Sequence, residues 1–226
     1  MKVTYYGHSC FAVEVAGRHL LFDPFITPNE LAKTIDANQV KADFLLISHA
    51  HADHLADAVA IAKRTGAQVV SNYEIYLWAT NQGLQKAHPL NHGGSVNLAF
   101  GRAKFVNAIH SSSFPDGTYG GNPGGWVIET PEGNFYYSGD TALTADMALI
   151  GESTRLKFAA LCIGDTFTMG IDDAIRAAQM VRCDDIVGVH YDTFPPIKID
   201  RAAAIQKFKA VGKRLHLVPI GQSVAF

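Results

Sequence analysis

The sequence predicts a layered α/β protein, because short β-rich apolar runs alternate with helical segments along the whole chain. Of the 226 residues 48% are hydrophobic, which is enough to form a substantial core. No linker, charged run or low-complexity stretch interrupts the chain. We therefore expect a single domain over residues 1–226.

The predicted elements follow one another at short intervals. Apolar runs with a high β-propensity give the strands, and helical spacing of apolar residues gives the helices. The first half, to about Phe100, predicts strands at 2–7, 10–15, 18–22 and 43–48, and helices at 55–64 and 73–81. The second half predicts strands at 102–109, 126–130, 134–137, 158–163, 186–189 and 215–218, and helices at 142–150, 171–181 and 200–211. The Gly- and Pro-rich stretch 111–125 predicts a loop.

Four potential metal ligands fall within six residues directly after the predicted strand 43–48; they are His49, His51, Asp53 and His54. If the chain stays extended, alternate side chains point to the same side. His49, His51 and Asp53 would then share one side, and His54 would point in another direction. One turn could thus supply two metal positions, with His49 and His51 at one and Asp53 and His54 at the other. Imidazole and carboxylate donors favour Zn²⁺, Fe or Mn over Ca²⁺ or Mg²⁺. The alternative is a polar helix start capped by Asp53.

Three further candidates each follow a predicted strand: His110, Asp140 and His190. The carboxyl ends of strands are where α/β folds place their chemistry. Asp140 is the natural bridge, because a carboxylate has two oxygens to offer to two cations. Each residue taken singly also fits a structural role, as a hydrogen-bonded core histidine or a turn residue.

The order of these motifs resembles the ligand series of the metallo-β-lactamase superfamily. Five flanking strings resemble more closely a family known as "metal-dependent hydrolase", related to the ascorbate-6-phosphate lactonases; they are 7–11 (GHSCF), 23–24 (DP), 137–141 (YSGDT), 164–170 (GDTFTMG) and 190–195 (HYDTFP). The resemblance extends from Val3 to about Val224. It implies a four-layer αβ/βα sandwich.

The resemblance also implies a role for each candidate ligand. One metal ion would be held by His49, His51 and His110, the other by Asp53, His54 and His190, with Asp140 as the bridge. We expect two divalent ions, with Zn favoured and Mn or Fe as alternatives. β-Lactamases of the common zinc class carry Cys at the position of Asp140, and oxygen-reducing diiron members carry Glu at that of His51. These departures favour hydrolysis of a substrate other than an antibiotic.

The predicted function is that of a dinuclear hydrolase. Two cations would lower the pKa of a bridging water, and the resulting hydroxide would attack a small, anionic ester, lactone or phosphodiester. Asp53 could also accept a proton as a catalytic residue. A phospholipase D-like or cyclic-nucleotide phosphodiesterase activity is an alternative. A non-catalytic metal-binding sensor on the same scaffold is another.

Several residues outside the ligand set have two possible roles. The resemblance implies that His8 lies near the metals, where it would contact substrate or support a ligand, although turn backbone could also satisfy it. Two strand-end acids could accept a hydrogen bond from a ligand histidine or cap a turn; they are Asp23 and Asp165. Two segments could form the rim of the site. If the loop 111–125 borders and gates the site, Phe114 and Tyr119 would face the substrate; the alternative is a plain surface connection. On the same reasoning Tyr191 and Thr193, after His190, could contact substrate.

Composition limits the partners. With 19 basic and 21 acidic residues, the chain lacks the excess of positive charge that binds nucleic acid. The expected partner is a small-molecule substrate. A homo-oligomer is also possible. Cys10, Cys162 and Cys183 show no paired spacing and are expected to be free thiols. No signal sequence or membrane span is apparent, and a cytoplasmic location is expected.

Overall fold

Two seven-stranded sheets pack face to face in the computed structural model, which describes all of residues 1–226. The first sheet has the order β14-β1-β2-β3-β4-β5-β6. Its strands are β1 (Lys2–Gly7), β2 (Cys10–Val15), β3 (Arg18–Phe22), β4 (Phe44–Leu46), β5 (Gln68–Asn72), β6 (Ala87–Leu90) and β14 (Ser223–Ala225). The second sheet has the order β13-β12-β11-β10-β9-β8-β7. Its strands are β7 (Ser95–Leu98), β8 (Gly101–Asn107), β9 (Gly124–Thr130), β10 (Gly133–Tyr137), β11 (Leu156–Cys162), β12 (Asp185–Val189) and β13 (Arg214–His216).

Six α-helices connect the strands: α1 (Ala52–Leu55), α2 (Ala58–Thr65), α3 (Tyr73–Asn81), α4 (Asp146–Ser153), α5 (Ile171–Met180) and α6 (Arg201–Ala210). Short 3₁₀ helices lie at Glu30–Ala32, Ala37–Gln39 and Pro195–Ile197. Asn72 caps α3 and Asp200 caps α6, each with a side-chain oxygen that accepts a backbone N–H. None of the helices combines the length and the apolarity needed to cross a membrane.

Strand residues alternate between two apolar layers. Leu20 and Phe22 of β3 belong to the larger cluster between the sheets, whereas Leu21 belongs to the smaller cluster beneath α2 and α3. The Phe11 and Phe22 rings stack at 4.6 Å, and Phe22 meets the edge of Phe135 from the opposite sheet at 5.8 Å. Aromatic pairs of this kind each contribute about 0.5–1.5 kcal/mol beyond their burial. Both faces of the central strands are therefore buried, which explains their continuous apolar runs.

Parallel pairing positions the candidate site. In the first sheet β3 to β6 run parallel, and in the second β10 to β13 run parallel. Segments that follow β4, β10 and β12 consequently leave their sheets at matching edges. This edge is where the predicted ligands lie.

Several predicted boundaries differ from the observed ones. The chain after Ser48 is extended only to His51, where α1 begins, so the alternation expected to carry Asp53 does not hold. The predicted helix 55–64 is broken at Asp57, whose carboxylate accepts the backbone N–H groups of Ile26 and Thr27. Strand β8 ends before 109 and α4 begins after 142, because the two intervening segments hydrogen-bond to each other through Ile109 and Ala142.

Candidate metal centre

The seven predicted ligands converge at one edge of the interface between the sheets. Those from the first sheet lie between β4 and the end of α1, namely His49, His51, Asp53 and His54. Those from the second sheet follow β8, β10 and β12, namely His110, Asp140 and His190. The structure thus brings together residues that are up to 141 positions apart in sequence.

One oxygen of Asp140 is the centre of this cluster. The Nε2 atoms of four histidines surround Asp140 Oδ2, at 2.8 Å for His190, 3.2 Å for His54, 3.7 Å for His110 and 4.0 Å for His49. Asp140 is buried, as are His49, His54 and His190. Packing of the hydrophobic core does not account for four imidazoles around one buried carboxylate oxygen.

The remaining donors separate into two groups. His49, His51 and His110 place their ligand atoms within 4.8 Å of one another, and His49 Nε2 lies 3.0 Å from His51 Nδ1. Asp53, His54 and His190 form a second group of the same tightness, which also includes His8. The grouping matches the two sets that the resemblance implied, apart from the presence of His8.

An unsatisfied oxygen at the centre fits a cation. Asp140 Oδ1 is buried and has no hydrogen-bond partner. A buried polar atom left in this condition costs about 1–3 kcal/mol. Imidazole nitrogens and carboxylate oxygens are the donors that bind Zn²⁺ and related ions. The residues present are therefore suited to divalent metal ions.

Asp23 orients two of the histidines. Its carboxylate accepts hydrogen bonds from the Ser48 hydroxyl at 2.5 Å and from His54 Nδ1 at 2.7 Å, and also from the Tyr137 hydroxyl at 2.6 Å. Because the Ser48 hydroxyl donates to Asp23, it must accept from His49 Nδ1, which lies 2.9 Å away. His49 and His54 thus carry a proton on Nδ1, and their Nε2 atoms face Asp140.

His8 lies beside Asp53 in the turn between β1 and β2. Its Nε2 is 3.0 Å from Asp53 Oδ2, and its Nδ1 is 3.0 Å from the Thr193 hydroxyl. Its backbone carbonyl accepts the His190 N–H at 2.8 Å, which ties this turn to the end of β12. His8 and His190 both adopt left-handed backbone conformations, with φ of +54° and +56°. Such conformations are uncommon outside glycine and are typical of residues held in place for function.

Burial and charge set the protonation states. Burial, together with the nearby His190, lowers the pKa of His8 to about 4, so this ring is neutral near pH 7. Burial also lowers the pKa of His49. Burial alone would raise the pKa of Asp53, but His54 and His8 outweigh it and lower that pKa. Neutral imidazole and ionised carboxylate are the forms that bind metals.

A small cavity of about 220 Å³ opens onto the cluster. Its walls include His51, Asp53, His110, Ser111, Asp140 and His190, and two aromatic side chains stand at its mouth, Phe167 and Phe194. These phenylalanines are 54% and 36% exposed. Neither Lys nor Arg lines this cavity. Phe167 and Phe194 belong to the strings 164–170 and 190–195, which carried the family resemblance. Nothing in the sequence indicates that the two side chains line the same cavity.

The predicted substrate-facing residues lie elsewhere. Phe114 is buried against Trp78 and Tyr119 is exposed on a separate groove, so the loop 111–125 contributes only Ser111 to the cavity. The prediction for Phe114 and Tyr119 was wrong, because the loop folds back onto α3 through a hydrogen bond from Asn72 to Gly120.

The structure also places the other four residues for which the sequence left a role open. Tyr191 is buried against Tyr5, and Thr193 contacts His8, so neither side chain lines the cavity. Asp23 accepts the predicted hydrogen bond from a candidate ligand histidine. Asp165 instead accepts the backbone N–H of Thr166 and caps its own turn.

Comparison with known proteins agrees with this geometry. Residues 2–190 match the model of the β-lactamase superfamily domain. The chain belongs to the β-lactamase superfamily. It is 54% identical over 224 residues to a "UPF0173 metal-dependent hydrolase" of Flavobacterium johnsoniae, covering 99% of both chains. A relative with the same designation in Thermus thermophilus is 44% identical, covering 98% of this chain and 97% of the relative. The predicted family and the prediction of a metal-dependent hydrolase are confirmed.

Solved structures confirm the fold. Igni18, a metallo hydrolase from the archaeon Ignicoccus hospitalis, superposes with a TM-score of 0.90 at 39% identity, covering 100% of this chain and 97% of Igni18. An isothiocyanate hydrolase from Delia radicum gut bacteria gives a TM-score of 0.79 at 17% identity, covering 100% of this chain and 99% of its own, and shows a shared fold alone. The predicted sandwich of two sheets flanked by helices is confirmed.

Proposed function

We propose that this member of the superfamily hydrolyses a small ester, lactone or phosphodiester with a pair of divalent metal ions. The observation that carries the proposal is the convergence of four histidine Nε2 atoms within 4.0 Å of Asp140 Oδ2. A single ion would need at most four of the seven donors. A pair would use all of them, with Asp140 shared by the two sets.

The donors divide into two complementary sets. One ion would be held by His49, His51 and His110, and the other by Asp53, His54 and His190. Five of these six side chains are imidazoles, which favours Zn, with Mn and Fe as the alternatives. The hydrogen bonds that His54 donates to Asp23 and His49 donates to Ser48 fix the tautomers of both histidines before any ion binds.

The protein side chains contribute to the chemistry in distinct ways. When bound, the two cations would supply the charge that activates a water molecule and stabilises negative charge on the substrate. Asp53 is 27% exposed at the cavity, where its carboxylate accepts a proton from the attacking water. His8 holds Asp53 in this orientation through its Nε2. Phe167 and Phe194 narrow the mouth and limit the access of bulk water.

The cavity supports a small substrate. Because no cationic side chain lines it, the charge of an anionic substrate would be neutralised by the metal ions themselves. The volume admits a group the size of a short ester or one phosphoryl group. The two exposed phenylalanines at the mouth favour a substrate with an apolar or aromatic substituent next to the scissile bond.

Metal analysis combined with a substrate panel tests the proposal. Protein purified without chelator should contain two equivalents of metal, and the metal-loaded enzyme should hydrolyse members of an ester, lactone and phosphodiester panel. His190→Ala should bind fewer than two ions and lose at least about 100-fold in kcat. His216→Ala is the matched control, because His216 pairs with Asp185 away from the cluster. At most one ion in the wild-type protein would refute the dinuclear site, and a fully loaded but inactive protein would favour the sensor.

The aromatic mouth favours one alternative specifically. A phospholipase D-like activity requires an apolar surface beside the metals, and Phe167 and Phe194 provide a small one. In the same panel, a phosphodiester with a long acyl chain should then outperform a short soluble one. Phe194→Ala should remove that preference without changing metal content.

A further inference from the structure

A cavity on the second sheet lies away from the metal centre. It has a volume of about 570 Å³ and separates the outer face of β8, β9 and β10 from α4. The other helices of this half pack farther along the sheet, near β11 and β13. The outer face of β8 and β9 is therefore left without a covering helix.

The groove combines apolar side chains with charged ones, namely Arg102, Lys104, Glu129 and Asp146. In register across the three strands, Lys104 lies opposite Val127, and Val127 lies opposite Tyr136. Met147 and Leu149 form the helical wall, and the Leu149 side chain is 62% exposed. An exposed leucine beside a concave apolar surface is a feature of ligand sites.

Two polar groups in the groove have no partner. The Tyr136 hydroxyl is buried and makes no hydrogen bond, although buried hydroxyls are normally satisfied. Lys104 has no acidic partner, because both acids that line the groove are engaged elsewhere. Glu129 pairs with Arg102 at 2.8 Å, and Asp146 accepts a hydrogen bond from Asn107 at 2.8 Å. Lys104 is thus a free cation at the edge of the groove, with an unsatisfied hydroxyl at its inner end.

We propose that this groove binds a small organic anion with an apolar body. The anionic group would pair with Lys104, the apolar part would cover Val127 and Leu149, and an acceptor atom would reach the Tyr136 hydroxyl. One hydrogen bond at the groove lies between the chain segments that carry two of the candidate ligands. Asn107 at the end of β8 donates to Asp146 of α4 at 2.8 Å, which joins the segments that lead to His110 and from Asp140.

Calorimetric titration of the metal-loaded protein tests the site. Octanoate is the probe, and the neutral octanamide is its matched control. We expect one octanoate per groove and at least tenfold weaker binding of octanamide. Lys104→Gln should weaken octanoate binding at least tenfold and Leu149→Asp should abolish it, whereas Lys63→Gln, on the exposed face of α2, should leave it unchanged. Thermal melting of each variant establishes that it is folded.

A carboxylate can also bind at the metal centre, and the variants separate the two sites. Octanoate binding that survives both Lys104→Gln and Leu149→Asp belongs to the metal centre and overturns the proposal. Equal affinities for octanoate and octanamide would likewise refute it, as would the lack of saturable binding. Because neither groove variant involves a candidate metal ligand, the outcome does not depend on whether the proposed hydrolase activity is found.

Discussion

Asp23 illustrates how single side chains define this site. Its buried carboxylate accepts hydrogen bonds from Ser48, His54 and Tyr137, and it thereby orients one histidine of each proposed metal set. The sequence left its role open, because an acid after a strand can cap a turn or support a histidine. Asp165 also follows a strand, and it caps a turn. Only the fold distinguishes the two, since His54 is 31 residues from Asp23 in sequence.

His8 gives a prediction at the scale of one residue. We expect His8→Ala to lower kcat about 10- to 100-fold while metal content stays at the wild-type value, because His8 orients Asp53. Thr193→Val removes only the partner of His8 Nδ1 and should cause a smaller loss. Steady-state kinetics on the best substrate of the panel, with elemental analysis of the same samples, measures both effects. Loss of metal from His8→Ala would instead make His8 a ligand, which its distance to the Asp53 group also allows.

At the scale of elements, strands were easier to predict than the connections between them. Buried strands such as β11 and β12 have continuous apolar runs, and their predicted and observed bounds agree to within two residues. Strands β6 and β7 were not located from the sequence, since Ala87–Leu90 and Ser95–Leu98 are short and mixed in polarity. The start of α1 at Ala52 was missed because His51 precedes it without a side-chain cap.

The candidate ligands were predictable for the same reason that the strands were. His49, Asp140 and His190 each follow an apolar strand closely, so the sequence indicates that they share an edge. Phe167 and Phe194 were not identified, because they belong to connections whose meeting depends on the packing of long loops. Tertiary contacts between loops have no periodicity from which they could be inferred.

Gly139 gives a prediction about the turn after β10. It adopts φ of +60°, and a Cβ there would lie 2.5 Å from the Gly124 carbonyl oxygen and 3.0 Å from Ser48 Cβ. We expect Gly139→Ala to displace Asp140 and reduce bound metal below two ions. Gly212→Ala is the matched control, because Gly212 has φ of +74° with no atom within 4 Å of the added Cβ. That variant should lose only about 1–2 kcal/mol of stability and keep its metal. Equal losses of stability together with full metal content in both variants would contradict the prediction.

At the scale of the whole molecule, the site lies on a shared core. One cluster of 41 buried residues draws side chains from both sheets, and on this basis we propose that residues 1–226 form a single domain. The candidate ligands also come from both sheets, with four after β4 and three from the segments that follow β8, β10 and β12. Bound ions would therefore link the two halves of the sandwich.

Metal removal should consequently lower the stability of the entire fold. An ion present at 100 times its Kd stabilises the native state by about 2.7 kcal/mol, so a chelator should lower the Tm of the wild-type protein by several degrees. His190→Ala should show a smaller decrease, since one of its sites is already impaired. Calorimetric melting with and without chelator, on samples whose metal content is measured, provides the comparison. A wild-type Tm that is the same for the loaded and the stripped protein would mean that the ions do not join the sheets, and the proposed bridging position of Asp140 would then be wrong.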